Sequence, residues 1–323
     1  MKKVLFATTA LVATAGVAAA DVTFGGYGRV GVLYNENATG TDETNVTSRF
    51  RLQIDATAES DMGVTFGARA RIQQNNTDNT PTYSVGPDNT AGTADDINGA
   101  SGPSGTGING VRFFARSGGL EVGVGNIFGA LEFMPGMYPI DLGLTGLGYD
   151  YTAFNFRGDA YSSGGNGAAG SNGVEVLYSM GDLSVHVSAS DTNNRVAAFA
   201  AYTFSGYTVA LGLQDSDSAS DTEVAFSVGG NVGPAALTFA YAKNGDDTGV
   251  GTTTGDHYVL AAKFDVGAAT DVEVYVADAD YFTDTSYGVD FNHDLGGGTS
   301  LRGGVASRGN GFVRADLGVR FNF

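Results

Sequence analysis

From Arg49 to Ala56 the chain reads Arg-Phe-Arg-Leu-Gln-Ile-Asp-Ala, polar and apolar in strict alternation. Val64 to Ile72 alternates in the same way, and so does the closing run from Val313 to Phe323. In that last run Val313, Ala315, Leu317, Val319, Phe321 and Phe323 share one parity, while Arg314, Asp316, Arg320 and Asn322 take the other. A period of two over eight or more residues predicts strands, because successive side chains of a strand point to opposite faces. Sixteen such runs occur, near 22–34, 47–58, 64–74, 110–116, 120–126, 173–180, 183–190, 195–204, 207–214, 222–229, 235–243, 256–264, 271–277, 285–291, 299–305 and 312–323. No segment beyond the amino-terminal leader approaches the 18 apolar residues of a transmembrane helix.

The connections alternate in kind. Asp61-Met62-Gly63, Ser117-Gly118-Gly119, Gly181-Asp182 and Ser205-Gly206 read as tight turns, whereas 75–109 and 127–172 are long polar loops. Short turns at one end and long loops at the other is the layout of an outer-membrane barrel, and an even strand number puts both termini at the short-turn end. A soluble sandwich also alternates, but it has fewer strands and hides its apolar face inside. Arginine parity separates the two. Arg29, Arg49, Arg51, Arg69 and Arg71 all lie on one face of the first three runs. Arginines at mid-membrane cost about 2–4 kcal/mol each, so five facing lipid would cost about 10–20 kcal/mol. That face therefore meets a wet lumen, and Phe24, Val30, Val32, Phe50, Leu52, Ile54, Phe66 and Ile72 meet lipid. Tyr34, Phe204, Tyr207, Tyr241, Tyr258, Phe264, Phe291, Phe321 and Phe323 fall near strand ends, either as interfacial belts or as ordinary strand-filling aromatics.

Composition narrows the function. The 323 residues include 50 Gly, 6 Pro and no Cys, which excludes disulfide frameworks, Cys-based metal sites and a Cys nucleophile. The formal charge of −18 argues against a broad nucleic-acid footprint. Met1-Lys2-Lys3 is a basic start, 4–20 is apolar and small, and Ala18-Ala19-Ala20 precedes Asp21. Residues 1–20 thus read as a signal peptide cleaved before Asp21, with 21–323 as the exported barrel. Cleavage removes two lysines and no acid, leaving 15 basic and 35 acidic residues, a formal charge of −20.

The chain resembles the general diffusion porins of Gram-negative outer membranes, and among them the Rhodobacter-type porins. The resemblance rests on Gly26-Tyr27-Gly28-Arg29-Val30-Gly31, Ser48-Arg49-Phe50-Arg51-Leu52, Gly63-Val64-Thr65-Phe66-Gly67-Ala68 and Asp316-Leu317-Gly318-Val319-Arg320-Phe321-Asn322-Phe323. It covers the whole exported chain, and the terminal Phe looks like that family's assembly signal. It implies a 16-stranded antiparallel transmembrane β-barrel with an inward-folded third loop, a homotrimer in the outer membrane among lipid and lipopolysaccharide, and passive diffusion of small hydrophilic solutes. Two features depart from the pattern: there is no Trp, and the second loop, 75–109, is long.

Candidate chemistry follows from charge. Arg29, Arg49, Arg51, Arg69, Arg71, Arg112, Arg116, Arg302, Arg314 and Arg320 fall on the first four and last two runs, which are neighbours in a closed barrel and form one basic wall. The third loop, 127–172, is the one connection there large enough to fold inward, and it carries Glu132, Asp141, Asp150 and Asp159. A pore constriction is expected with Arg29, Arg49, Arg51, Arg69, Arg71, Arg112 and Arg314 on its basic side and Glu132, Asp141 and Asp150 on its acidic side. Opposed charges across an eyelet create a transverse field that orders water and selects among ions. The same charges would alternatively pair and brace the wall. Asp88, Asp95 and Asp96 read either as a calcium site, which the resemblance also implies, or as a solvated acidic loop. With acids concentrated in the mouths, a modest cation preference is expected at low salt. Gly26-Tyr27-Gly28-Arg29-Val30-Gly31 matches a dinucleotide fingerprint but lies inside a strand with no helix after it. His186, His257 and His293 lie on separate runs without the spacing of a zinc or Ser–His site. No catalytic residue is assigned and no cofactor is called for beyond the calcium candidate. The alternatives kept beside a passive channel are a substrate-selective channel and an adhesin or structural barrel.

Overall fold

A computed structural model describes residues 20–36, 42–76, 82–84, 97–99, 103–104, 108–154, 158–163, 170–245 and 254–323. The leader and the calcium candidates Asp88, Asp95 and Asp96 lie outside the described residues. Sixteen strands build the barrel: β1 (Asp21–Asn35), β2 (Glu43–Glu59), β3 (Thr65–Asn76), β4 (Arg112–Ser117), β5 (Leu120–Asn126), β6 (Asn172–Met180), β7 (Leu183–Ser190) and β8 (Val196–Phe204) form the first half. The second half comprises β9 (Tyr207–Asp215), β10 (Glu223–Val232), β11 (Ala235–Asn244), β12 (Gly255–Asp265), β13 (Thr270–Ala279), β14 (Ser286–Gly296), β15 (Thr299–Ser307) and β16 (Val313–Asn322). Each pairs antiparallel with its sequence neighbours, and β1 pairs with β16 from Tyr27–Asn322 to Asn35–Arg314, which closes the sheet. Among the described residues the only helical element is the 3-10 turn Thr192–Asn194.

Every expected run lies on one of these strands. β2 starts at Glu43, four residues before the expected boundary, because polar Thr44 and Ser48 on its outer face interrupt the alternation there. Within the long 75–109 segment, Thr82–Ser84 pairs antiparallel with Ile97–Gly99. Pro103–Ser104 then returns to pair with the end of β3, and Ile108 bridges Ile72. The tight turns have the backbone that two-residue hairpins need. Gly118 and Gly119 have φ of 57° and 85°, and Ser205 and Gly206 have 50° and 83°. Two positive φ values match the turn to the right-handed twist of the flanking strands.

Phe24, Val30, Val32, Phe50, Phe66, Leu317, Phe321 and Phe323 are exposed on the outer face. The Gly26–Gly31 run lies wholly within β1, and its glycines serve packing. A Cβ on Gly28 would collide with Cζ of Phe321, so the tip of that ring occupies the space where a side chain would stand.

The apolar core is inside the barrel. The inner faces of β8 to β13 carry Ala197, Ala201, Ala210, Ala225, Ala240, Ala242, Ala261 and Ala277, all buried. Leu131, Met134, Met137, Leu142, Tyr151 and Phe154 of the third loop pack against them. Small residues on the wall leave room for a second layer, so the loop lies along the inner wall instead of projecting outward.

Candidate functional site

Four rungs between β2 and β3 set the geometry of the basic wall. Arg49 stands opposite Asn75, Arg51 opposite Gln73, Gln53 opposite Arg71 and Asp55 opposite Arg69. In each rung the guanidinium Nε donates across the strands: to Asn75 Oδ1 at 2.6 Å, Gln73 Oε1 at 2.6 Å, Gln53 Oε1 at 2.9 Å and Asp55 Oδ1 at 2.6 Å. A neutral amide fixes an arginine without cancelling its charge. Among the described residues Arg49, Arg51 and Arg71 make no ion pair, whereas Asp55 neutralises Arg69. Tyr27 on β1 joins this wall to β16. Its ring lies under the guanidiniums of Arg51, at 5.2 Å, and Arg320, at 4.3 Å, and its hydroxyl accepts from Arg49 Nη1 at 3.3 Å.

The third loop is fastened to the inner wall by carboxylates that β6, β13, β14 and β16 point inward. Glu175 on β6 accepts from the amides of Phe128 and Gly129. Glu273 on β13 accepts from Asp141 N, and Asp290 on β14 from Gly143 N at 2.6 Å. Asp316 on β16 accepts from Leu144 N at 2.9 Å and from both Thr145 N and Thr145 Oγ1 at 2.7 Å. Gly143 turns there with φ of 64°, and a Cβ on it would lie 2.4 Å from Asp316 Oδ1. Backbone donors thus meet buried acceptors at each step, as charge-assisted bonds. The return limb comes back to the basic wall, where Tyr161 donates to the Arg69 carbonyl and stacks under Arg71 at 4.6 Å.

The predicted site residues therefore divide. Arg49, Arg51, Arg69 and Arg71 are brought together on the inner face of β2 and β3, with Arg320 beside them. Asp141 is exposed on the loop and ion-pairs with Arg302 at 2.6 Å and Arg320 at 3.1 Å. Glu132 takes its bonds within the loop, from the Tyr138 hydroxyl at 2.8 Å to each oxygen. Arg29 lies beneath the loop and donates to the Leu144 carbonyl at 2.6 Å. Arg314 sits at the long-loop end of β16, bonded to Asn35. Arg112 and Asp150 stand apart from the open face. Arg112 is 1% exposed, pairs with Glu175 and Glu121, and is covered by the Phe128 ring at 3.9 Å. Asp150 accepts from Gly309 N at 2.8 Å and Ser286 Oγ at 3.1 Å, and pins the loop's turn. Below the loop, at the short-turn end, a cavity of about 580 Å³ is lined by Asp265, Asp271, Asn292, Asp294, Ser300 and Arg302.

Burial holds the Glu132 carboxyl above the ordinary carboxylate range, with the Tyr138 hydrogen bond opposing the shift. On acidification from neutral pH Glu132 therefore loses its charge before exposed carboxylates do. Cation preference should begin to fall above the pH at which ordinary carboxylates titrate, and Glu132→Gln should remove that early part. Reversal potentials of the two proteins across a pH series check this; superimposable curves would contradict it.

Reasoning from sequence missed Tyr27, the amides Gln53, Gln73 and Asn75, the neutralising Asp55 and the anchors Glu175, Glu273, Asp290 and Asp316. Their signal was present as parity. Each lies on the inward parity of its strand, and each anchor is a carboxylate on that parity with a Gly or Tyr two residues away.

The profile of the family described as Gram-negative porin matches residues 7–311. A porin of Fuscovulum blasticum is 28% identical over 287 residues, covering 80% of this chain and 85% of that one. Among solved structures, a mutant of Rh. blastica porin superposes with a TM-score of 0.75 at 24% identity, covering 94% of this chain and 100% of that one. A triple mutant of Rhodopseudomonas blastica porin gives 0.73 at 25% identity, with the same coverages. With the closed barrel and its inward loop, these matches identify a diffusion channel of the Gram-negative outer membrane. The chain belongs to the Gram-negative porin family.

Proposed function

We propose that small hydrophilic solutes and ions cross this porin between the third loop and the wall formed by β1, β2, β3 and β16, through a transversely charged eyelet. The observation that carries this reading is the set of rungs that hold Arg49, Arg51 and Arg71 by neutral amides. Charge held in place and left uncancelled acts on whatever passes. Asp141, which the loop brings against Arg302 and Arg320, marks the acidic end of the field. The channel performs no covalent chemistry in this reading. The working unit is a homotrimer in contact with lipid and lipopolysaccharide, exported by a leader removed before Asp21. Asp88, Asp95 and Asp96 offer carboxylates either to calcium or to solvent.

Two fields act in series along the path. Acidic groups at the mouths enrich cations, and the amide-held arginines favour anions at the narrow part. Mouth fields reach about one Debye length, ~10 Å at 0.1 M salt and ~3 Å at 1 M. The modest cation preference expected at low salt should therefore shrink as salt rises, since the arginines act at contact range where screening is weak. Reversal potentials in planar bilayers at increasing mean salt measure this. Clear anion selectivity at low salt, or a preference that does not change with salt, would contradict the proposal.

A further inference from the structure

We infer that Arg49, Arg51 and Arg320, gathered about Tyr27, form a resting subsite for small oxyanionic solutes, carboxylates or phosphates, within the eyelet. The inference rests on the channel reading above and gives one class of solute a place within it.

Three observations converge on it. First, like charges are held close: Arg51 and Arg320 stand 5.2 Å and 4.3 Å from the one Tyr27 ring, and Arg49 bonds its hydroxyl at 3.3 Å. Second, the pinning bonds leave the recognition edge open. Arg51 spends Nε on Gln73, and among the described residues neither of its terminal nitrogens makes a hydrogen bond. Arg49 spends Nε on Asn75 and Nη1 on Tyr27, leaving Nη2. A guanidinium end with two N–H groups in one plane matches two oxygens of a carboxylate or phosphate. Third, Tyr27 is placed to organise the group, since its electron-rich ring takes two of the cations, one from each neighbouring strand, and its hydroxyl the third. Chloride can use the charge of this group but not the paired donor geometry. An oxyanion can use both, so it should pause where chloride passes. Asp141 also takes part: it occupies Arg320 Nη1, so an arriving oxyanion competes with a carboxylate of the loop.

The test uses the purified channel in planar bilayers, with inorganic phosphate as probe, held as the dianion by mildly alkaline buffer at fixed chloride and ionic strength. The expected result is a saturable fall in chloride current. Arg51→Gln should shift the half-effect to phosphate concentrations at least about fivefold higher, the factor for one unit charge at ~4 Å in water. Tyr27→Phe, which keeps the ring but releases Arg49, should weaken the phosphate effect, and Tyr27→Leu, which removes the ring as well, should weaken it further while the barrel still inserts and conducts. A current that falls without saturation, or equally in the parent and in Arg51→Gln, would overturn the subsite. If Arg51→Gln still moves the potassium chloride reversal potential in that case, the eyelet reading survives without the subsite. If it moves neither quantity, the eyelet reading fails as well.

Discussion

Replacing Arg49 and Arg51 together by Gln should shift the ion preference of the channel severalfold toward cations while leaving the barrel intact. Each guanidinium is held by a neutral amide, so its removal orphans no carboxylate, and Gln still reaches Asn75 or Gln73 across the strands. A unit charge ~4 Å from an ion in water is worth about 1 kcal/mol, or roughly fivefold in local concentration. Two such charges acting at one narrow point should therefore exceed any effect of a mouth residue. The converse variant, Glu132→Gln with Asp141→Asn, should move the preference toward anions, because it removes two acids and releases Arg302 and Arg320 from their shared partner. Reversal potentials under a salt gradient check both. If both variants insert and keep the parental value, these residues do not line the path.

The second large effect is on the loop itself. Asp316→Ala combined with Asp290→Ala should turn one steady conductance level into several, with frequent brief transitions. Asp316 alone accepts three hydrogen bonds from Leu144 and Thr145, and Asp290 holds the preceding amide of Gly143. Leaving a buried donor unsatisfied costs about 1–3 kcal/mol, and three amides of the loop lose their acceptor here, together with Glu273 N on β13. A shift of 1.4 kcal/mol changes a population tenfold, so conformers with the loop lifted from the wall should become populated. The strands bearing the two aspartates keep their backbone ladders, so heat resistance of the folded barrel should change little. Asp316→Asn, which keeps an acceptor, should behave between the parent and the double variant. Single-channel records with one unbroken level in the double variant would show that the loop is held in place without Asp290 and Asp316.

The barrel was legible because lipid and lumen impose opposite demands on adjacent residues. Arg49, Phe50, Arg51 and Leu52 can sit together only in a strand between two solvents. The third loop's path was less legible. Its landing surface is a row of inward alanines on β8 to β13, and Ala carries no polarity that distinguishes a covered lumen position from a lipid-facing one. Arg112 shows the same limit: its parity is that of the lumen, but Phe128 and Glu175 come from distant parts of the chain and enclose it. Likewise the difference between Arg69, neutralised by Asp55, and Arg51, held by Gln73, depends on the register of β2 against β3. Alternation fixes which face a residue takes and leaves its cross-strand partner open.

The path between loop and wall can be tested directly because the chain has no Cys. Arg51→Cys places a single thiol at the centre of the basic wall, and Val30→Cys places one on the exposed outer face of β1. A bulky, water-soluble thiol reagent is added while single channels are recorded, and mass measurement verifies that the Arg51→Cys thiol reacts. Solute passage beside the wall predicts that modification cuts the current through Arg51→Cys and leaves Val30→Cys unchanged. Full modification of Arg51→Cys with an unaltered current would contradict it, and would place the conducting path elsewhere in the barrel.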